Sequence, residues 1–184
     1  MPPKTKVTKE DIINAAVDIV RNQGALAINA RAIAATLNCS TQPVFSNFAT
    51  MEALRCAVIN VADAYYQEYT KREIESKKHP VYKASGMAYI HFAKDEKELF
   101  KLLFMRDRTN ETIPAFPRSI SDMVKSSTGL SEKSAELFHL EMWAYVHGIA
   151  AMMATKYLEL DMELVGEILT DAYQGMKMRY EVKE

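Results

Sequence analysis

Residues 31–48 read RAIAATLNCSTQPVFSNF, and this stretch decides the fold. Ile33, Ala34 and Leu37 recur at helical spacing behind Arg31, and the pattern stops at Asn38-Cys39. A second, very short helical segment starts at Ser40 or Thr41 and runs to about Phe48. Two helices joined by so short a turn make a helix–turn–helix, whose second helix can lie in a DNA major groove. That second segment falls below the ~12–15 residues an isolated helix needs in water, so neighbouring elements must hold it. Its outer face is small and polar, as a groove requires.

Upstream, Thr8-Lys9-Glu10-Asp11 has the spacing of a capping box. A first helix follows, with Ile13, Ala16, Val17 and Val20 on one face, and ends before Gly24. Asn29 is placed to cap the second helix and Ser40 the third, with Pro43 in its first turn. Downstream, Thr50 caps a fourth helix whose apolar stripe (Leu54, Val58, Val61, Tyr65) fades into KREIESKKHP. His79-Pro80 breaks the chain. Further helices are expected over about 81–94, 96–106, 119–127, 131–157 and 162–180, with a loop through Pro114 and Pro117. Glycine is scarce and no apolar/polar alternation appears, so the fold expected is all-α with about nine helices.

Composition is that of an ordinary globular chain, 48% apolar and 26% charged, with a net charge of −1. The distribution of charge says more. Lys4, Lys6, Lys9, Arg21, Arg31 and Arg55 stand against Glu10, Asp11, Asp18 and Glu52, so the first 55 residues are mildly basic and the remainder acidic. The tail MPPKTKV carries cations able to reach a phosphate backbone. Cys39 and Cys56 have no metal or disulfide spacing and read as small buried apolar residues. No cofactor is expected. There is no apolar leader and no run approaching a membrane span, so a cytoplasmic protein is expected.

The order Gly24, Ile28-Asn29, Ile33-Ala34, Ser40, Phe45, Phe48, Leu54 resembles the helix–turn–helix of the tetracycline-repressor (TetR) family of transcriptional regulators. A second stretch, Trp143 to Gly148 with His147, resembles the Trp–His–Gly motif of one class of TetR ligand domains, and YIHFAKDEKELFKLLF resembles the fifth and sixth helices of that class. The resemblance implies a DNA-binding domain over 1–50 and a ligand-binding and dimerisation domain over 51–184. Four positions depart from the family pattern: Asn38 stands for the usual turn glycine, Phe45 for a tyrosine, Asn47 for a histidine and Met51 for a lysine. The last three changes remove a hydroxyl and two potential cations, and so weaken the electrostatic share of DNA binding.

On this reading the DNA contacts fall on Asn29, Arg31, Ser40, Thr41, Gln42, Pro43, Phe45, Ser46, Asn47 and Thr50. Gln42 suits an adenine edge and Pro43 a thymine methyl. Arg31 and Asn29 suit phosphate. Cys39, Ile33, Leu37, Val44 and Phe48 should pack inward. An effector pocket, apolar with a few polar anchors, is expected among Tyr89, Phe92, Phe104, Met105, Met123, Trp143, His147 and Met152. The family pairs its last two helices across a two-fold axis, which implies an interface of Ala144, Ala151, Ala154, Val165, Ile168, Leu169, Ala172 and Tyr173. The implied protein is a homodimeric repressor that leaves a palindromic double-stranded operator when a small apolar or amphipathic effector binds. Two rivals stand beside it. One is a helical interaction or ligand-sensing module with weakened DNA binding. The other is an enzyme, for which Glu141 and His147 are the nearest approach to a reactive pair and no motif frames them.

Overall fold

A computed structural model describes residues 7–109 and 118–181. Within them the chain is all helical: α1 (Lys9–Gln23), α2 (Ala30–Thr36), α3 (Gln42–Asn47), α4 (Met51–Glu75), α5 (Val81–Asp95), α6 (Lys97–Phe104), α7 (Arg118–Thr128), α8 (Glu132–Ala154) and α9 (Met162–Glu181), with one 3₁₀ turn at Ala25–Ala27. The cationic tail Lys4 and Lys6 and the loop prolines Pro114 and Pro117 lie outside the described residues.

Local chemistry sets most boundaries. Thr8 and Asp11 form the reciprocal capping box at α1, and Gly24 closes that helix at a φ of 83°. Asn29 caps α2 through its side-chain oxygen, Thr50 accepts from the Ala53 N–H in the first turn of α4, and Ser131 caps α8. Ser40 does not cap α3: the capping position falls to Thr41, whose side chain makes no capping bond, and Pro43 lies in the first turn.

The chain divides into two compact units. The first runs through Tyr65 and takes in Glu96–Arg106; the second holds Tyr66–Asp95 and the chain from Asp107 onward. The division thus falls inside α4 rather than at residue 50, and α6 belongs with the helix–turn–helix. In the first unit α1 packs on α2, α3 and α6, burying Ile12, Val17 and Val20 with Ile33, Val44 and Phe100. In the second, α5 and α8 form the main pair, with α7 and α9 laid against them. Phe138 is fully buried in an aromatic contact with Tyr173 and Tyr180 of α9. Each such side chain contributes about 1.5–3 kcal/mol of burial free energy. Among the described residues no helix is long and apolar enough to cross a membrane.

Candidate functional site

The helix–turn–helix is held by its own backbone. After α2 the Asn38 N–H bonds to Ala35 O (3.2 Å) and the Cys39 N–H to Ala34 O (2.9 Å), while Asn38 takes a φ of 50°. This is the Schellman closure, which needs a left-handed residue that is usually glycine and sometimes asparagine. The asparagine at this turn therefore keeps the geometry the glycine would give. Below the turn, Ile33, Val44 and Phe48 are buried. Leu37 is half-buried.

The outward face of α3 presents Gln42, Phe45 and Ser46, with Thr41 and Pro43 partly covered at its N-terminal end. Phe45 is 57% exposed, which is unusual for a phenylalanine on a helix this short and leaves its ring available to a partner. Ser40 and Arg31 are also exposed. Three of the polar residues are partly spent on the backbone. Asn29 accepts from the Ala32 N–H and donates to Ala27 O; Asn47 donates to Pro43 O at 2.8 Å; Thr50 accepts from the Ala53 N–H. Two exposed cations extend the same end of the unit. Arg55 stands one turn along α4 from Met51, and Lys9 lies 5.1 Å over the Phe48 ring. Both belong to the cations that make the first 55 residues mildly basic, and neither was singled out from the sequence as a DNA contact.

Of the expected effector residues, the structure joins three directly. The Tyr89 hydroxyl lies 2.9 Å from His147 Nδ1, and Trp143 stacks on the same imidazole, ring centroids 5.1 Å apart and nearly parallel. Burial holds the Tyr89 phenol above its ordinary pKa, so it keeps its proton and donates; burial also holds His147 below its ordinary value. His147 therefore accepts at Nδ1 as the neutral Nε2–H tautomer. Phe92, fully buried, joins this group through Tyr66, whose ring meets both Phe92 and Tyr89. A second pair repeats the arrangement two turns away: Tyr82 hydroxyl to His139 Nδ1, 2.9 Å, with His139 also lowered by burial. Met123 and Met152 are half-buried on α7 and α8. Phe104 and Met105 belong instead to the first unit, Phe104 packing on Phe100. A separate open groove of about 800 Å³, bounded by the end of α4, α5 and α9, is lined by charged residues such as Lys78, Lys83, Glu163 and Glu167 and by none of the expected effector residues.

The expected interface residues divide. Ala144 is exposed, and Ala151 and Ile168 are half-covered. Ala154, Val165 and Leu169 are buried inside their own subunit, and Ala172 and Tyr173 pack on its core, so none of these five forms an open face. Exposed apolar side chains that the helical stripe did not single out stand on α8 and α9: Leu137, Leu140, Tyr145, Leu164 and Met178. Cys56 is exposed and Cys39 half-buried, so the pair is not the buried one expected. Glu141 is held by Arg179 (2.6 Å) and Tyr180 of α9, which removes it from any pairing with His147.

Residues 82–173, half of the chain, match the family model described as tetracyclin repressor-like, C-terminal domain. No curated protein matches the sequence. Among solved structures, a TetR-like transcriptional regulator from Rhodococcus sp. RHA1 superposes with a TM-score of 0.66 at 15% identity, covering 96% of each chain. A TetR family member from Streptomyces coelicolor A3 gives 0.63 at 16% identity over 89% of this chain and 96% of that one. The multidrug binding protein EbrR, solved with imidazole, gives 0.58 at 17% identity over 92% and 95%. At these identities the likeness is one of fold, and the family model carries the assignment. The all-helical chain, with its helix–turn–helix ahead of that matched domain, belongs to the tetracycline-repressor (TetR) family of transcriptional regulators.

Proposed function

We propose that the chain is a homodimeric, non-enzymatic repressor that reads a palindromic operator in the cytoplasm and releases it on binding a small effector. The observation that carries this reading is the α2–α3 turn: a Schellman closure on Asn38 that leaves Gln42, Phe45 and Ser46 facing outward. Gln42 has the donor and acceptor for an adenine edge, worth about 1–3 kcal/mol of base discrimination. Thr41, Pro43 and Phe45 supply smaller and apolar contacts, and Ser40, Ser46, Arg31 and Arg55 reach phosphate. Asn29, Asn47 and Thr50 serve first as backbone caps and add at most one further bond each.

A two-fold dimer places two such helices in successive major grooves, ~34–36 Å apart. Leu137, Leu140 and Tyr145 of α8 with Leu164 and Met178 of α9 supply apolar surface for the pairing, with Ala144 and Gly148 allowing close approach. Tyr89, His147 and Trp143 are the polar and aromatic anchors for an apolar or amphipathic effector. Selection of binding sites from a randomised duplex library tests the reading. An inverted repeat with half-sites one helical turn apart is expected. Recovery of no enriched sequence by a folded dimer at low salt favours the rival, a sensing module that has lost DNA binding, to which Phe45 and Met51 point.

A further inference from the structure

The open groove between the end of α4, α5 and α9 lies wholly within the second unit, and Tyr89, Trp143 and His147 have no part in it. Its α9 wall is a row of carboxylates. Glu163, Glu167 and Asp171 stand four residues apart, so they share one face of the helix, and all three are exposed. Like charges at this spacing repel and weaken the helix that carries them. Among the described residues none of the three enters a salt bridge that would offset this.

The groove also holds cations. Lys78 comes from the connection between α4 and α5, and Lys83 from the first turn of α5. Lys83 is given to a neutral group: its Nζ donates to Thr170 Oγ1 at 2.8 Å, although Glu167 and Asp171 flank Thr170 on α9. Burial and the nearby Lys83 hold His79 below its ordinary pKa, so it is neutral at pH 7 and answers none of the acids. Glu73, the one acid that α4 contributes, is taken by His91, whose Nδ1 lies 2.5 Å from Oε1. Met87, buried, and Met162, half-buried, add flexible apolar lining. Acids and lysines thus share a groove of about 800 Å³, within the range of small-molecule sites, without neutralising one another. An occupant that carries both charges would satisfy both sets.

We propose that this groove is a second ligand site, for a short zwitterionic peptide: its ammonium on Glu163, Glu167 and Asp171, its carboxylate on Lys78 and Lys83, its apolar side chains against Met87 and Met162. The site stands apart from the effector residues and does not rest on the regulatory reading above. Isothermal titration calorimetry of the full-length protein with trileucine, its C-terminal amide and its N-acetyl form tests it. Trileucine should bind at millimolar concentration. Each blocked form should bind about tenfold more weakly or worse, because each loses one set of charge-assisted contacts. Lys78→Met with Lys83→Met should abolish the preference for the free carboxylate, and Glu163→Gln with Glu167→Gln should reduce that for the free ammonium, with thermal unfolding unchanged. If either double variant does not fold, the blocked peptides on the parent protein decide. Trileucine that binds no better than its blocked forms, or not at all, overturns the proposal. So does a preference for the free peptide that survives both double substitutions.

Discussion

Acidification should destabilise this protein well above the carboxylate range, through its buried histidines. Burial lowers the pKa of His139 and of His147, so the folded state resists a proton that the unfolded chain accepts near pH 6.5. The stability from neutral imidazole is therefore present above that pH and is lost as pH falls toward the folded values. The slope is at most about 1.4 kcal/mol per pH unit for each group. Between pH 6.5 and 5.5 that ceiling, about 1.4 kcal/mol, bounds the loss from His139, nine-tenths buried against Tyr82. His147 is more open, and solvent screening makes its share the smaller. Each kcal/mol lost lowers Tm by about 2–4 °C for a chain of this size. His79, lowered by burial and by Lys83, acts in the same sense. Thermal melts at pH 7.5 and 5.5, at one protein concentration, measure the drop. In the double variant His139→Gln, His147→Gln, where an amide oxygen can accept the tyrosine bond but cannot titrate, the drop should shrink by more than half. A full drop in the double variant, or a parent Tm that does not fall at pH 5.5, would refute the reasoning.

Other outcomes follow from single contacts. Asn38→Val forces a β-branched residue to a φ of 50° and should cost about 1–2 kcal/mol, lowering Tm by several degrees, whereas Asn38→Gly should be near neutral; calorimetry distinguishes them. Leu164→Glu, placed on an exposed apolar position of α9, should shift the protein from dimer to monomer in analytical ultracentrifugation while helicity is kept; a dimer of unchanged affinity removes this face from the interface. Arg31→Ala, the loss of an exposed cation at the start of α2 in each of two subunits, should reduce the slope of log binding constant against log salt by about 1.8 without changing the preferred site.

The local grammar of the chain was legible because its signals are local. Thr8 with Asp11, Asn29, Thr50 and Ser131 each sit within one turn of what they cap, and Asn38 announces its own backbone angle. What could not be read depends on distance along the chain. Val165 and Leu169 lie on an apolar stripe of α9, and periodicity cannot distinguish a stripe facing its own core from one facing a second subunit. The open positions Leu164 and Met178 lie off that stripe. Phe104 and Met105 were expected beside the effector because they are apolar and follow α5, but α6 packs on α1 with Leu99 and Phe100 buried and falls in the first unit. Likewise the two tyrosine–histidine bonds join α5 to α8 across more than fifty residues, a pairing no spacing rule supplies. Ser40 failed as a cap because α3 begins later, at Gln42, with Pro43 in its first turn.

The central claim is that α3 reads bases through its N-terminal residues. Fluorescence anisotropy of the duplex upstream of the coding sequence, titrated with the full-length protein and its Gln42→Ala variant at several salt concentrations, tests it most directly. Salt-dependent binding by the parent is expected, and a complex weaker by about 30-fold or more for the variant, from the loss of about 1–3 kcal/mol at each of two half-sites, at an unchanged salt slope. Equal affinity for parent and variant on the same specific site, or binding without a salt slope, would contradict it.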